Sequence, residues 1–268
     1  MSEAVRDGSV QPAGLWTPAG RGGWREGAVV LAIVLAPVGL AVILTTAAML
    51  ALVIWQLQDQ GYVDLPTPAN IRLLGMLCYV AGSWIAVVAA WFWSQRRGMR
   101  RDVFIFRRLT WPAAAASLVG LVIAVYGAPA ATHWLSHALG GGGPGVRINL
   151  HSPYTTAVYL LVFVITSPLC EEVLYRGLLV AWLRRVGWHD VAIWLVGSLI
   201  FGANHVIALG VAWSIVMVAF GAILFALRMR HGSLTPAWLT HLLFNAQPFL
   251  ILPLINKFAP ALHPGVIS

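Results

Sequence analysis

The chain has 268 residues, of which 59% are hydrophobic and only 10% charged, and its mean hydropathy is +0.80. Soluble domains carry about 25% charged residues, so these values exclude a soluble globular fold and indicate an all-α polytopic membrane protein. The net charge of +8 does not argue for a nucleic-acid partner, because the basic residues sit in short loops between apolar runs, where the positive-inside rule expects them.

Residues 1–27 are rich in Gly, Pro and Arg, carry no apolar period and are expected to form a flexible cytoplasmic tail. The apolar run that starts near Ala28 is too long for the core of a cleavable signal peptide. About seven transmembrane helices (six to eight) are expected, at roughly 28–57, 71–93, 111–139, 154–183, 190–207, 209–228 and 235–256, near the 20 residues a bilayer requires. Pro129 is a point where the third can divide. Cys78 and Cys170 both lie in apolar segments, which disfavours a disulfide framework.

With the N-terminus cytoplasmic, the inner segments hold Arg6, Arg21, Arg25, the arginines from Arg96 to Arg108, Arg184, Arg185, Arg228 and Arg230. The outer loops then hold only Arg72, Arg147 and Lys257. This asymmetry favours an inside N-terminus, and with seven spans the C-terminus lies outside. The Gly-rich segment 140–145 reads as an external connection between two parts. Residues 28–153 form a scaffold of about three helices with almost no ionisable groups. Residues 154–268 carry Glu171, Glu172, Arg176, His205 and His241 and are expected to build a membrane-embedded catalytic cavity from four helices. No internal repeat is visible, which weakens an inverted-repeat transporter.

Glu171 and Glu172 are the only two of nine acidic residues deep in a hydrophobic run. A carboxylate at mid-membrane costs roughly 2.5–3.5 kcal/mol. On a helix Glu172 and Arg176 share a face and can pair, leaving Glu171 free for chemistry; a purely structural Glu–Arg lock is the plain alternative. Pro168, just upstream, can bend the helix or open its wall. Phe201 and His205 share a face of the next helix, where Gly202 permits close approach of a neighbour. In the last helix Ser233 and Thr235 are candidate N-caps, Pro236 suits the first turn, and His241 and Asn245 lie one turn apart. Each histidine can be simple interhelical glue. Together the set suits a water-containing cavity with Glu171 as general base and His241 and Asn245 as donors to an oxyanion. Glu171, His205 and His241 can equally hold a divalent metal such as zinc. At 1.5 Å per residue, Glu171 and His205 lie roughly 18 and 22 Å into their spans but His241 only about 9 Å. A common site therefore requires tilt, a break, or a last helix that starts below the surface.

Three motifs carry a resemblance. Glu171-Glu172-Val-Leu-Tyr-Arg176, Phe201-Gly-Ala-Asn-His205 and His241-Leu-Leu-Phe-Asn245 resemble, in order, the signature of the CPBP family, the CAAX protease and bacteriocin-processing (Abi) intramembrane endopeptidases. The resemblance covers about 155–250. It implies that Glu171 and His205 activate water, that His241 and Asn245 stabilise the oxyanion, and that Glu172, Arg176 and Phe201 support them. Members are described both as glutamate proteases, with no cofactor, and as metalloproteases. The implied substrate is a membrane-associated, in some cases lipidated, protein or peptide, and the implied location a bacterial cytoplasmic membrane. The chain lacks His-Glu-x-x-His, the Gly-x-Ser-Gly of rhomboids (Ser198 follows Gly197 without it) and Gly-x-Gly-Asp. A Cys170 nucleophile is disfavoured because buried apolar thiols are inert. Two competing readings are a non-catalytic immunity or adaptor protein on the same scaffold and an ion-coupled transporter with a Glu–His relay.

Overall fold

The computed structural model describes residues 23–60, 62–139 and 152–251. Residues 1–22 of the tail, the Gly-rich connection and the chain beyond 251 lie outside the described residues. All regular structure among the described residues is helical: α1 (Trp24–Asp59), α2 (Pro68–Arg96), the short α3 (Arg100–Val103), α4 (Trp111–Ala138), α5 (Pro153–Arg185), α6 (Asp190–Ala203), α7 (Val206–His231) and α8 (Thr235–Ala246).

Five of these, α1, α2, α4, α5 and α7, are long and apolar enough to cross a membrane. Their outer faces expose large apolar side chains, including Ile43, Ile85, Tyr126 and Ile207, a surface suited to lipid. The protein is an integral membrane protein. The expected fifth span is shorter than its apolar run: α6 has 14 residues and ends at Ala203. The chain turns through Asn204 and His205, and Gly210 breaks the first turns of α7 with φ 77°. The seventh begins as α8 and continues through a π-helical stretch, Gln247–Ile251. Pro129 does not divide α4, which runs through it unbroken.

Glu26 at the start of α1 pairs with Arg97 just past the end of α2. Arg184 and Arg185 end α5, and Arg228 and Arg230 end α7. The described arginines assigned to one side thus gather at one end of the bundle.

α5 is the central element. Its most apolar stretch is 61% buried, against 17% for α1, and it meets α1, α2, α3, α6, α7 and α8. Pro168 does not simply kink it. The helix widens on both sides of the proline, with π-helical segments at Leu160–Thr166 and Glu172–Leu179 flanking the α-helical turn Ser167–Glu171. A proline withholds one N–H from the ladder, and a π segment is one way for the chain to absorb the resulting slack. Small residues seat its neighbours. A Cβ on Gly177 would lie 2.3 Å from the Val103 carbonyl oxygen of α3, and one on Gly202 would meet α7 at Val218, 2.2 Å away. The close approach expected at Gly202 is therefore present.

The start of α8 lies under the 104–108 segment that follows α3. Leu234 N–H donates to the Ile105 carbonyl at 2.9 Å, and Arg107 N–H donates to both Ser233 Oγ and Thr235 Oγ1. Thr235 Oγ1 donates in turn to the Arg107 carbonyl. These hydroxyls tie α8 to a neighbouring strap, and Ser233 Oγ also accepts from the first N–H of the helix, that of Thr235, at 3.2 Å, while Thr235 itself is the first helical residue and not the cap. Ser233, Leu234 and Ala237 are buried, so the last helix starts inside the bundle, which removes the depth mismatch of His241.

Candidate active site

The polar residues of α5 and α8 meet in one buried cluster, and His205, half-buried in the turn after α6, stands beside it. Glu171, Glu172, Arg176 and His241 are each at most 4% exposed. Glu172 and Arg176 pair as their spacing predicts, at 3.2 Å. The guanidinium also donates to the Gly221 carbonyl of α7 and lies between the rings of Phe201 and Phe225, 4.2 and 4.4 Å from their centroids. Here cation–π attraction replaces part of the lost hydration.

Glu172 does more than neutralise Arg176. The oxygen that accepts from Arg176 also accepts from His241 Nδ1 at 2.9 Å. A carboxylate can only accept, so Nδ1 carries a proton. His241 then presents Nε2 to the site, as a lone pair in the neutral ring and as a donor in the imidazolium. Nε2 stands 3.9 Å from Glu171 Oε2. His205 is fixed by the same logic. Its Nδ1 lies 2.7 Å from the Phe201 carbonyl, so Nδ1–H donates and Nε2 is free to act on a water.

Glu171 is held by two hydroxyls. Ser167 Oγ and Tyr79 Oη both donate to Oε1, each at 2.7 Å. Oε2 is buried without a hydrogen-bond partner among the described residues, and so are Thr166 Oγ1, Glu172 Oε2, Tyr175 Oη and Arg176 Nε nearby. Buried polar atoms are normally satisfied, so Oε2 has capacity for a further donor. Glu171 therefore faces the site with one oxygen fixed and one available.

Phe201 is the floor of the cluster. Its ring contacts Arg176, His205 at 4.7 Å between centroids, and His241 at 6.1 Å. Both histidines thus share one neighbour, and both lie within electrostatic range of Glu171. Asn245 is placed on the same helix face as His241, but its Nδ2 donates to the Phe163 carbonyl at 2.9 Å, which leaves one N–H of that amide for a ligand. Cys170 is fully buried.

Two of these residues were not among the sequence candidates. Ser167 lies four residues before Glu171 on the same helix, so i,i+4 spacing could have found it. Tyr79 comes from α2, 92 residues away, and no local pattern marks it. Among the described residues no three His, Cys, Asp or Glu donors come close enough to hold a metal ion. Glu171 and His241 face one another, but the arrangement does not fit a three-ligand centre.

Residues 153–247 match the family model of the Type II CAAX prenyl endopeptidase Rce1-like proteins. This region is similar to the Rce1-like family. All three motifs fall inside the match, in agreement with the CPBP resemblance, and the family is one of endopeptidases. The Rce1-like region begins with α5 and ends just past Asn245; Tyr79 lies outside it. Neither the curated proteins nor the solved structures yield a match.

Proposed function

We propose that the chain is an intramembrane endopeptidase in which Glu171 is the general base for an attacking water. One observation carries this reading: Glu171 Oε2 is buried, unpartnered, and turned toward His241 while Oε1 is pinned by Tyr79 and Ser167. Oε2 takes a proton from water, with His205 Nε2 accepting the second water hydrogen to aim the oxygen. The hydroxide adds to the scissile carbonyl carbon. The resulting oxyanion receives His241 Nε2–H and the spare Asn245 N–H. Glu171, now protonated, returns its proton to the leaving amine as the C–N bond breaks, which restores the carboxylate.

His241 donates in this scheme only as the imidazolium. The substrate is a membrane-associated protein or peptide whose bond reaches the site through lipid, and the N-terminus faces the cytoplasm, as the arginine distribution favours. No metal is required. Cleavage that persists after chelation, in protein free of stoichiometric metal by elemental analysis, is the expected result; loss of cleavage restored by zinc would assign the metal route instead.

Glu171→Gln keeps size and hydrogen-bonding capacity but removes the base. In protein reconstituted with a membrane peptide, cleavage should fall by about 10²–10⁴-fold, the range of general-base contributions, with thermal unfolding little changed. Full cleavage in this variant would sink the assignment. Flux of a solute without any cleaved product would favour a transporter.

A further inference from the structure

We propose that the arginine-rich end of the bundle contains a binding site for a phosphate-type oxyanion, separate from the carboxylate cluster. The site is a cavity of about 580 Å³. Arg107 from the segment after α3, Arg184 and Arg185 from the end of α5, and Arg228 from the last turn of α7 line it, against the single carboxylate of Asp102.

The pairing of these guanidiniums is incomplete. Arg184 is bound by Asp190 in a two-point contact at 2.9 and 3.1 Å. Arg228 is 4% exposed, yet it makes no ion pair with a carboxylate among the described residues. It donates only to backbone, to the Arg176 carbonyl at 3.0 Å and the Asp102 carbonyl at 3.4 Å. Arg185 likewise donates to the Arg97 carbonyl, and the Arg107 guanidinium has no hydrogen bond among the described residues. Arg107 and Arg184 are close enough to Arg228 to repel it, and Asp102 and Asp190 attract it less strongly. A buried cation facing like charges is costly unless an anion joins it. Arg107 offers a planar fork with no hydrogen-bond partner among the described residues, which suits two parallel N–H bonds to the tetrahedral oxygens of a phosphate, while Arg184, Arg185 and Arg228, partly engaged elsewhere, line the same hollow. The remaining lining, including Met99, Ile105, Val180 and Ala181, is apolar and accommodates the carbon skeleton of an ester.

The cavity adjoins the carboxylate cluster through the backbone. Arg228 holds the carbonyl of Arg176, the partner of Glu172, and Val180 follows one turn later on α5. The bound oxyanion is either a phospholipid headgroup at the bilayer surface or a free phosphate.

Thermal unfolding of the purified full chain tests the site without reference to cleavage. Dihexanoyl phosphatidylglycerol is titrated against dihexanoyl phosphatidylcholine, and inorganic phosphate against chloride at equal ionic strength. A saturable stabilisation by phosphatidylglycerol alone assigns the headgroup, and one by inorganic phosphate assigns the free ion. In either case Arg107→Gln should weaken half-saturation about tenfold, the loss of one charge-assisted bond, whereas Arg108→Gln, whose side chain is outside the cavity lining, should not. No stabilisation by either anion, a shift that follows ionic strength alone, or equal effects of the two substitutions would overturn the proposal.

Discussion

Tyr79 and Ser167 meet at one oxygen of Glu171, and this sets how the carboxylate can act. A carboxylate free to rotate would present either oxygen and spend part of its time against the wall; two donors on Oε1 fix which oxygen is basic and where it points. Tyr79→Phe removes one donor and keeps the ring. The expected result is a fall of about tenfold to a hundredfold in kcat, from the loss of one hydrogen bond to a charged group, with KM nearly unchanged. Adding Ser167→Ala should lower kcat further. A Tyr79→Phe enzyme with unchanged kcat would show that Ser167 alone suffices. Glu172→Gln is expected to act differently, because it leaves the buried Arg176 guanidinium without its compensating charge, even though the amide oxygen can still accept from His241. Breaking such a buried pair costs about 3–5 kcal/mol, visible as a large drop in unfolding temperature together with lost cleavage. The residue scale was the most legible in the sequence. Glu172 and Arg176 are four residues apart on one helix, so helix geometry alone brings them together; Phe201 and His205 also meet, but His205 stands in the turn after α6 and not on the helix face expected for it. Tyr79 was not legible because a phenol in an apolar span looks the same whether it faces lipid or a carboxylate from another helix.

At the scale of the element, α5 is built to be approached from all sides. Gly177 lets the backbone of α3 come against it. Gly177→Ala would put a methyl group 2.3 Å from the Val103 carbonyl oxygen, and such overpacking costs about 1–3 kcal/mol. Gly39→Ala in α1, where nothing lies within 4 Å of the added carbon, should be neutral or stabilising, by up to about 1 kcal/mol of helix propensity. Thermal unfolding of the two variants in the same detergent separates packing from propensity. The two π-helical segments of α5 could not be read from sequence. Leu160–Thr166 is an uninterrupted apolar run, and only the proline after it hinted at slack in the ladder. The break at Gly210 and the shortness of α6 were hidden for a related reason: hydropathy continues across both, while the path of the chain changes.

For the whole molecule, the N-terminal helices are more than lipid-packed scaffold. The sequence predicts a division into a plain scaffold, 28–153, and a reactive part, 154–268, but α2 crosses that line by delivering Tyr79 to Glu171. A chain reduced to residue 152 onward should therefore insert yet cleave poorly. Co-expression of a separate piece covering 23–139 should restore activity, measured on the same membrane peptide. Restoration by a Tyr79→Phe version of that piece to the same level would mean that the first half serves only to pack.

The shared contact of both histidines with Phe201 has a spectroscopic consequence. An aromatic ring carries a circulating π current whose field displaces the resonances of nearby protons. With ring centroids 4.7 and 6.1 Å from that of Phe201, His205 and His241 both sample the same field. In a detergent-solubilised sample with labelled histidine, Phe201→Leu should move the imidazole signals of His205 and His241 together and leave those of His133 and His137 in α4 in place. One phenyl ring is thus a built-in magnetic probe of whether the two imidazoles remain gathered around it.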